Sequence, residues 1–554
     1  MGKELGKSFR WRRKRFEIAR QLNFHILCVS IFLFRLAAWI GFMMARLRSI
    51  GGCFPYYRSL RSCVAILVLG LPSTALSGPF AESGDPFLRH DLQLLRDTGK
   101  IDYSISTWPL SLGGLHANLH SLQLDDSTSR STAATLARTR AFLEKHKQMG
   151  WSPIQTGVGM RSDAPLLRFF LNTPRERREV AISVSWLGNR FAGGLNVQGG
   201  FNRASDWRGR TDHTLRFDGS YIATRAGNWS LSLDQLDRWW GPGWDGSLIL
   251  SNNARPVPAL TAQRRVPKPF ESRLLNWLGP WNATTFMGRM EDERTEFPHP
   301  WLFGARVDFS PTIAPGLEIG LSRTIQWGGK GRPNGVSTFM DALLGQDNVT
   351  PGSVDAANEP GNQLAGIDFR YKLPGDTPFA FYGQLTGEDE DKFMPNALMN
   401  LYGAEVWGQV QGGSWRAFLE YVDTGTWWWT DDDNIRNVAY NHHLYADGYR
   451  HRGRSLGHSV DGDSEASTVG LLYFSDSGRG CGLVLRSGEL NRDGNGDSSV
   501  SHEKSTDLFS VDFFTRWDAS IGQVTLGVGW EDLESSNDGG NEEFTGFLRL
   551  TRTF

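Results

Sequence analysis

From about residue 165 to the end of the chain, apolar and polar positions alternate with a period of two. In "TLRFDGSY", Leu215, Phe217, Gly219 and Tyr221 alternate with Thr214, Arg216, Asp218 and Ser220. In "FGARVDF", Phe303, Ala305, Val307 and Phe309 alternate with Gly304, Arg306 and Asp308. In "GIDFRYK", Ile367, Phe369 and Tyr371 alternate with Asp368, Arg370 and Lys372. Successive side chains of a strand point to opposite faces, so this period predicts strands with one apolar and one polar face. Two architectures accept such strands. A sandwich turns the apolar face inward, whereas a transmembrane barrel turns it outward and lines its lumen with the polar one.

The connections favour the barrel. Walking back from the last strand, which ends on Phe554, they alternate long and short. Residues 531–542, 489–505, 425–465, 387–399 and 328–362 are long. "WDAS" (517–520), "SDSGRG" (475–480), "QGG" (411–413), "PGD" (374–376) and "SPTIAP" (310–315) are short. A barrel with long loops outside and short periplasmic turns shows this alternation, and a sandwich has no reason for it. Tryptophans near strand ends (Trp186, Trp327, Trp415, Trp517 and Trp530) suit interface girdles. Earlier strands are expected near 165–173, 179–187, 190–201, 213–223, 228–237 and 268–277, with 238–267 as one outside-facing connection. The expected fold is therefore mainly β, an 18-stranded antiparallel transmembrane β-barrel.

Before the barrel the period changes to that of helices. In "GDPFLRHDLQLLRDTG", Pro86 opens a helix that carries Leu88, Leu92 and Leu95 on one face. "LGGLHANLHSLQL" and "DSTSRSTAATLARTRAFLEKHKQMG" add two more. Residues 78–150 are expected to form a small helical domain at the periplasmic end, and 151–554 the barrel. Residues 1–77 read as a leader. A basic segment, an apolar run from Cys63 and the small-residue site Ala75-Leu76-Ser77 form a signal peptide cleaved after Ser77. An earlier basic-then-apolar block is read as sequence upstream of a true start at Met43 or Met44, the alternative being an unusually long leader. Cys481 is then the only cysteine of the mature chain, which excludes an intrachain disulfide. The balance of 59 basic against 60 acidic residues argues against a nucleic-acid partner.

Long, unusual blocks add a resemblance. "DRWWGPGWDGSLILSNNARPVPAL" (237–260), "RMEDERTEFPHPWLFGARVDFSP" (289–311), "LEIGLSRTIQWGGKGRP" (317–333) and "LRHDLQLLRDTGKI" (88–101) resemble the capsule-assembly outer-membrane family, the Wzi-type surface lectins. The resemblance spans the mature chain. It implies an eighteen-stranded barrel with helices at its periplasmic end, bound to exported capsular polysaccharide and helping to hold it on the cell. The protein is expected to be a monomer in outer-membrane lipid and not an enzyme. A porin or sugar-selective channel is the alternative, because inward arginines and aspartates suit a wet pore as well as a lumen closed by ion pairs.

Two segments are candidate carbohydrate sites. In "TGTWWWTDDDN", Trp427, Trp428 and Trp429 could stack on sugar rings while Asp431, Asp432 and Asp433 bond hydroxyls; the competing reading places the tryptophans in the outer girdle. In the 237–256 segment, Trp239, Trp240 and Trp244 with Asn252, Asn253 and Arg255 either fill the mouth or lumen or touch sugar. "DGNGD" (493–497) has the start of a calcium loop but Ser498 and Lys504 where glycine and glutamate are required, and it reads as a solvated turn. No catalytic motif is present, and no cofactor or metal is expected.

Overall fold

The computed structural model describes residues 78–554 apart from 121, 123–128, 164, 202–205, 296, 344–360, 392–393, 428–435, 495–496, 502–503 and 536–538. Eighteen antiparallel strands close into a barrel. The first is β1, interrupted as Gly150–Trp151 and Gln155–Arg161, followed by β2 (Arg178–Leu187) and β3 (Phe191–Phe201). Next come β4, interrupted as Leu215–Arg216 and Tyr221–Ala226, β5 (Trp229–Asp234), β6 (Ala259–Arg264), β7 (Trp281–Arg289), β8 (Trp301–Phe309) and β9 (Leu317–Trp327). They are followed by β10 (Gly361–Lys372), β11 (Phe379–Asp391), β12 (Met394–Val410), β13 (Gly413–Trp427) and β14 (Glu465–Ser475). The last are β15 (Gly480–Leu490), β16 (Thr506–Ala519), β17 (Gly522–Ser535) and β18 (Gly539–Thr553). Neighbours in sequence pair, and β18 closes on β1 in the register Phe547 opposite Arg161 to Thr553 opposite Gln155. Closure gives each barrel strand a neighbour on both sides, so the barrel has no edge strand among the described residues.

The alternation resolves in favour of an apolar exterior. Ile367 is 49% exposed and Val307 42%, while Asp368 and Arg370 are 3% exposed and Arg306 and Asp308 1%. The count of eighteen is the one expected from the sequence, but two expected strands lie elsewhere, and the connections expected at 387–399 and 531–542 are largely strand, since β11 runs to Asp391, β12 starts at Met394, β17 runs to Ser535 and β18 starts at Gly539. Residues 165–173 are not a strand. "LLRFFL" does not alternate, and its side chains turn into the lumen, where Phe169 stacks on Phe418 at 6.0 Å between centroids and Phe170 meets Trp239 at 4.8 Å. The opening strand is β1. Residues 268–277 are not a strand either, but lead into a 3-10 turn at Asn276–Leu278. The strand lies earlier, at β6, so the connection after β5 covers 235–258 rather than 238–267. In β6, Leu260 faces out while Thr261 and Gln263 are buried, an alternation too short to stand out beside Pro256 and Pro258.

Helix α1 (Pro86–Asp97) starts where Asp85 accepts from the backbone nitrogens of Phe87 (3.0 Å) and Leu88 (3.1 Å), with proline at the first turn. Helices α2 (Leu112–Leu119) and α3 (Arg130–His146) pack against it through Leu92, Leu95, Leu115, Leu119, Leu136 and Leu143. Helix α4 (Val336–Leu343) lies on the outward face of β8 and β9, where Phe339 meets Phe303 at 5.3 Å and Trp327 at 4.9 Å. Among the described residues no helix is long and apolar enough to cross a membrane.

Candidate functional site

The lumen is filled by two segments that approach each other inside the barrel. One is the chain from α1 to Trp108. The other is the connection 235–258. They join as a two-residue ladder, Trp239 opposite Trp108 and Trp240 opposite Thr107. Arg89 of α1 donates to the carbonyls of Gly243 (2.8 Å) and Pro242 (2.7 Å), and its guanidinium lies 4.2 Å from the centre of the Trp244 ring. The proline and glycine content of 237–256 lets the backbone bring these carbonyls close, and Trp239, Trp240, Trp244, Leu248, Ile249 and Leu250 are all buried.

The inward charges of the strands hold both segments. Asp97 of α1 pairs with Arg370 of β10 (2.8 Å) and Arg416 of β13 (3.2 Å), and both arginines also pair with Glu405 of β12 at 2.6 Å. Arg306 binds Asp368 at 2.5 Å, Ser106 at 2.8 Å and Thr107 at 2.6 Å. Trp244 donates its ring nitrogen to Glu405 (2.8 Å) and its backbone nitrogen to Glu420 (2.7 Å). Asp245 accepts from Arg486 at 2.6 Å, and burial is outweighed by that guanidinium, which holds the Asp245 carboxyl below the usual range. The inward arginines and aspartates that could have lined a wet pore are spent on side chains that fill it.

At the rim that carries the long connections, a second layer closes over the plug. Arg255 pairs with Asp218 (2.7 Å) and Asp212 (2.6 Å). Asn253 donates to the Ser455 carbonyl at 3.0 Å and accepts from Arg454 at 3.2 Å. Asn252 offers its backbone carbonyl to Arg175 at 3.1 Å, while its side-chain oxygen is buried without a hydrogen bond. Arg450 binds Asp461 through two bonds of 2.8 Å, Tyr440 donates to the Leu248 carbonyl (2.7 Å), and Glu291 pairs with His451. A cavity of about 250 Å³ lies in this layer, lined by Arg216 of β4 and by the connections after β1, β3, β5, β7, β13 and β15.

Of the other candidate set, Trp427 is the last residue of β13 and pairs with Leu398. It lies on the face shared with Tyr402 and Tyr421, outside the barrel. Trp428, Trp429, Asp431, Asp432 and Asp433 lie outside the described residues. Sequence reasoning missed the cavity, because its side chains come from six separated connections with no common motif. Among the described residues, His213, Asp292 and Glu293 bring potential metal ligands within 4.8 Å of one another, but all three are exposed and no metal is assigned there.

Comparisons with known proteins accord with this geometry. Residues 171–543 match the family model described as capsule assembly protein Wzi. A Klebsiella pneumoniae protein, described as an uncharacterized 55.8 kDa protein in the cps region, is 34% identical over 376 residues, 65% of this chain and 69% of that one. A solved structure is similar with a TM-score of 0.72 and 27% identity, over 86% of this chain and all of that one. It is described as Wzi, an outer membrane protein of Escherichia coli involved in group 1 capsule assembly and a carbohydrate binding β-barrel.

Proposed function

The chain belongs to the capsule assembly protein Wzi family, and from that premise we propose that it is an outer-membrane lectin which binds exported polysaccharide at its mouth and helps attach it to the cell surface. The observation that carries this reading is the filled lumen. Buried ion pairs tie α1 and the 235–258 connection across the barrel, which leaves the mouth as the surface presented outward. A porin needs a continuous wet path, and the inward charges here meet each other instead. In this reading the rim of short turns and the helices α1 to α3 face the periplasm, and the rim of long connections faces the medium, where sugar would meet polar groups and ordered backbone rather than a catalytic group.

Two measurements test the proposal. Purified protein in planar bilayers is expected to show no steady conductance, and persistent open channels would restore the porin reading. A strain lacking the protein is expected to shed its surface polysaccharide, with retention restored by the intact gene; unchanged retention would remove the lectin role.

A further inference from the structure

The mouth cavity is charged in an uneven way. Among the described residues, seven arginines and five carboxylates line it, and five of those arginines have carboxylate partners. Arg175 pairs with Asp237 at 3.5 Å, Arg210 with Asp206 at 2.9 Å, Arg216 with Glu176 at 3.2 Å, Arg255 with Asp212 at 2.6 Å and Arg452 with Glu293 at 3.6 Å. The remaining two, Arg168 and Arg454, have no carboxylate partner among the described residues. Arg168 is 4% exposed and is held by neutral oxygens alone, the Thr173 carbonyl (2.8 Å) and hydroxyl (3.0 Å), and its Nε has no hydrogen-bond partner. Arg454 is likewise held by the carbonyls of Pro165 (2.5 Å) and Leu166 (3.4 Å) and by the Asn253 side chain (3.2 Å).

A buried cation without a counter-charge is expensive, because burial removes its water and neutral dipoles replace only part of it. Burial, followed by the neighbouring charges of Arg175, Arg454 and Arg161, pushes the Arg168 guanidinium well below its usual pKa. Among the described residues, most other buried arginines of the lumen and mouth are matched to acids, as Arg306, Arg370, Arg416, Arg450 and Arg486 are; Arg89, held by two carbonyls, is packed between the Phe170 and Trp244 rings and does not line this cavity. Here a positive potential is preserved, at the wall of a cavity, at the rim that carries the long connections. The planar guanidinium fork suits an oxyanion such as a carboxylate. At about 250 Å³ the space is below that of a pocket for a drug-sized ligand, so it suits one sugar unit rather than a length of chain.

We propose that this cavity is a subsite for an acidic sugar unit of the exported polysaccharide, whose carboxylate is received by Arg168 and Arg454. This rests on the lectin reading above and names the chemical class that the mouth selects. The ion-paired arginines of the cavity, Arg175, Arg210, Arg216, Arg255 and Arg452, fix its shape.

The test uses the full chain in detergent, with a glucuronate-containing tetrasaccharide and the same tetrasaccharide with its carboxyls reduced to alcohols. The acidic form is expected to bind at least about tenfold more tightly, with the difference shrinking as salt rises to about 0.5 M. Arg454→Gln and Arg168→Gln should each remove most of that preference, and Arg454→Lys should keep part of it. Heat-modifiable migration on gels reports whether each variant still holds its barrel, and Arg454→Lys provides a charged control if Arg168→Gln does not fold. Inorganic phosphate at the tetrasaccharide's concentration should not displace it; displacement would make the site a general oxyanion site and overturn the sugar assignment. Equal binding of the two tetrasaccharides overturns the proposal and leaves the lectin reading standing. Binding of neither overturns the proposal, and joined to unchanged retention in the deletion strain it removes the lectin reading as well.

Discussion

Replacing Asp97 by asparagine tests what keeps the lumen filled. The Asp97 side chain has no exposure and sits between Arg370 and Arg416 at 2.8 and 3.2 Å. The surrounding cluster is balanced, with Arg96, Arg370 and Arg416 against Asp97, Glu318 and Glu405. Asparagine keeps the shape but leaves one excess positive charge where water does not reach. Removing one member of a buried ion pair costs about 3–5 kcal/mol. Asp97 is at the end of α1, whereas its partners are on the wall, so the cost falls on the docking of α1. A cost of about 4 kcal/mol multiplies the undocked population by about a thousand. Asp97→Asn is therefore expected to lower the urea midpoint and to produce intermittent conductance in planar bilayers, absent from the parent. Adding Arg416→Gln restores the balance of charge and should recover part of the loss, a non-additivity that a double-mutant cycle measures directly. If Asp97→Asn shows the parent's urea midpoint and stays silent in bilayers, the ion-pair account of the plug is wrong.

Three further outcomes are expected. A Cβ at Gly246 would lie 1.8 Å from the His458 ring, so Gly246→Ala should cost about 1–3 kcal/mol in denaturant unfolding through overpacking, and parent-like stability would show the connection has room to shift. Burial, with Arg486 nearby, pulls His458 down to about 4, so the folded chain binds fewer protons than the unfolded one between about pH 4 and 6.5. Its contribution, up to about 3 kcal/mol, is complete above about pH 6.5 and is lost as pH falls towards 4; His458→Gln should flatten that limb of a stability profile, and an unchanged profile would refute it. Replacing Trp427, Trp428 and Trp429 together by alanine should lower polysaccharide retention while the barrel remains in the membrane, and Trp427→Ala alone should leave retention unchanged because Trp427 lies on the outer face; unchanged retention in the triple variant would place all three in the girdle.

Much of the barrel is legible in the sequence because its code is local. A strand with one lipid-facing and one lumen-facing side must alternate, so Ile367-Asp368-Phe369-Arg370 declares both faces within four residues. Connection lengths carry the parity, and Pro86 and the leucine spacing carry α1. By contrast, "LLRFFL" at 166–171 and "ALTAQR" at 259–264 do not declare their places locally. The first is apolar without alternation and packs in the lumen core, and the second is a six-residue strand beside prolines, short enough for local composition to mask its period.

The sequence by itself determined the strand code, the even count, the helical start and the unusual character of 237–256. Only the tertiary structure decided that this segment dives into the barrel to meet Trp108, that Asp97 reaches Arg370 and Arg416 across more than 270 positions, and that two arginines at the mouth have, among the described residues, no carboxylate in ion-pair contact. The physical reason is separation along the chain. Alternation and capping are set by neighbours, whereas ion pairing and cavities are set by which distant connections the closed barrel brings to one rim.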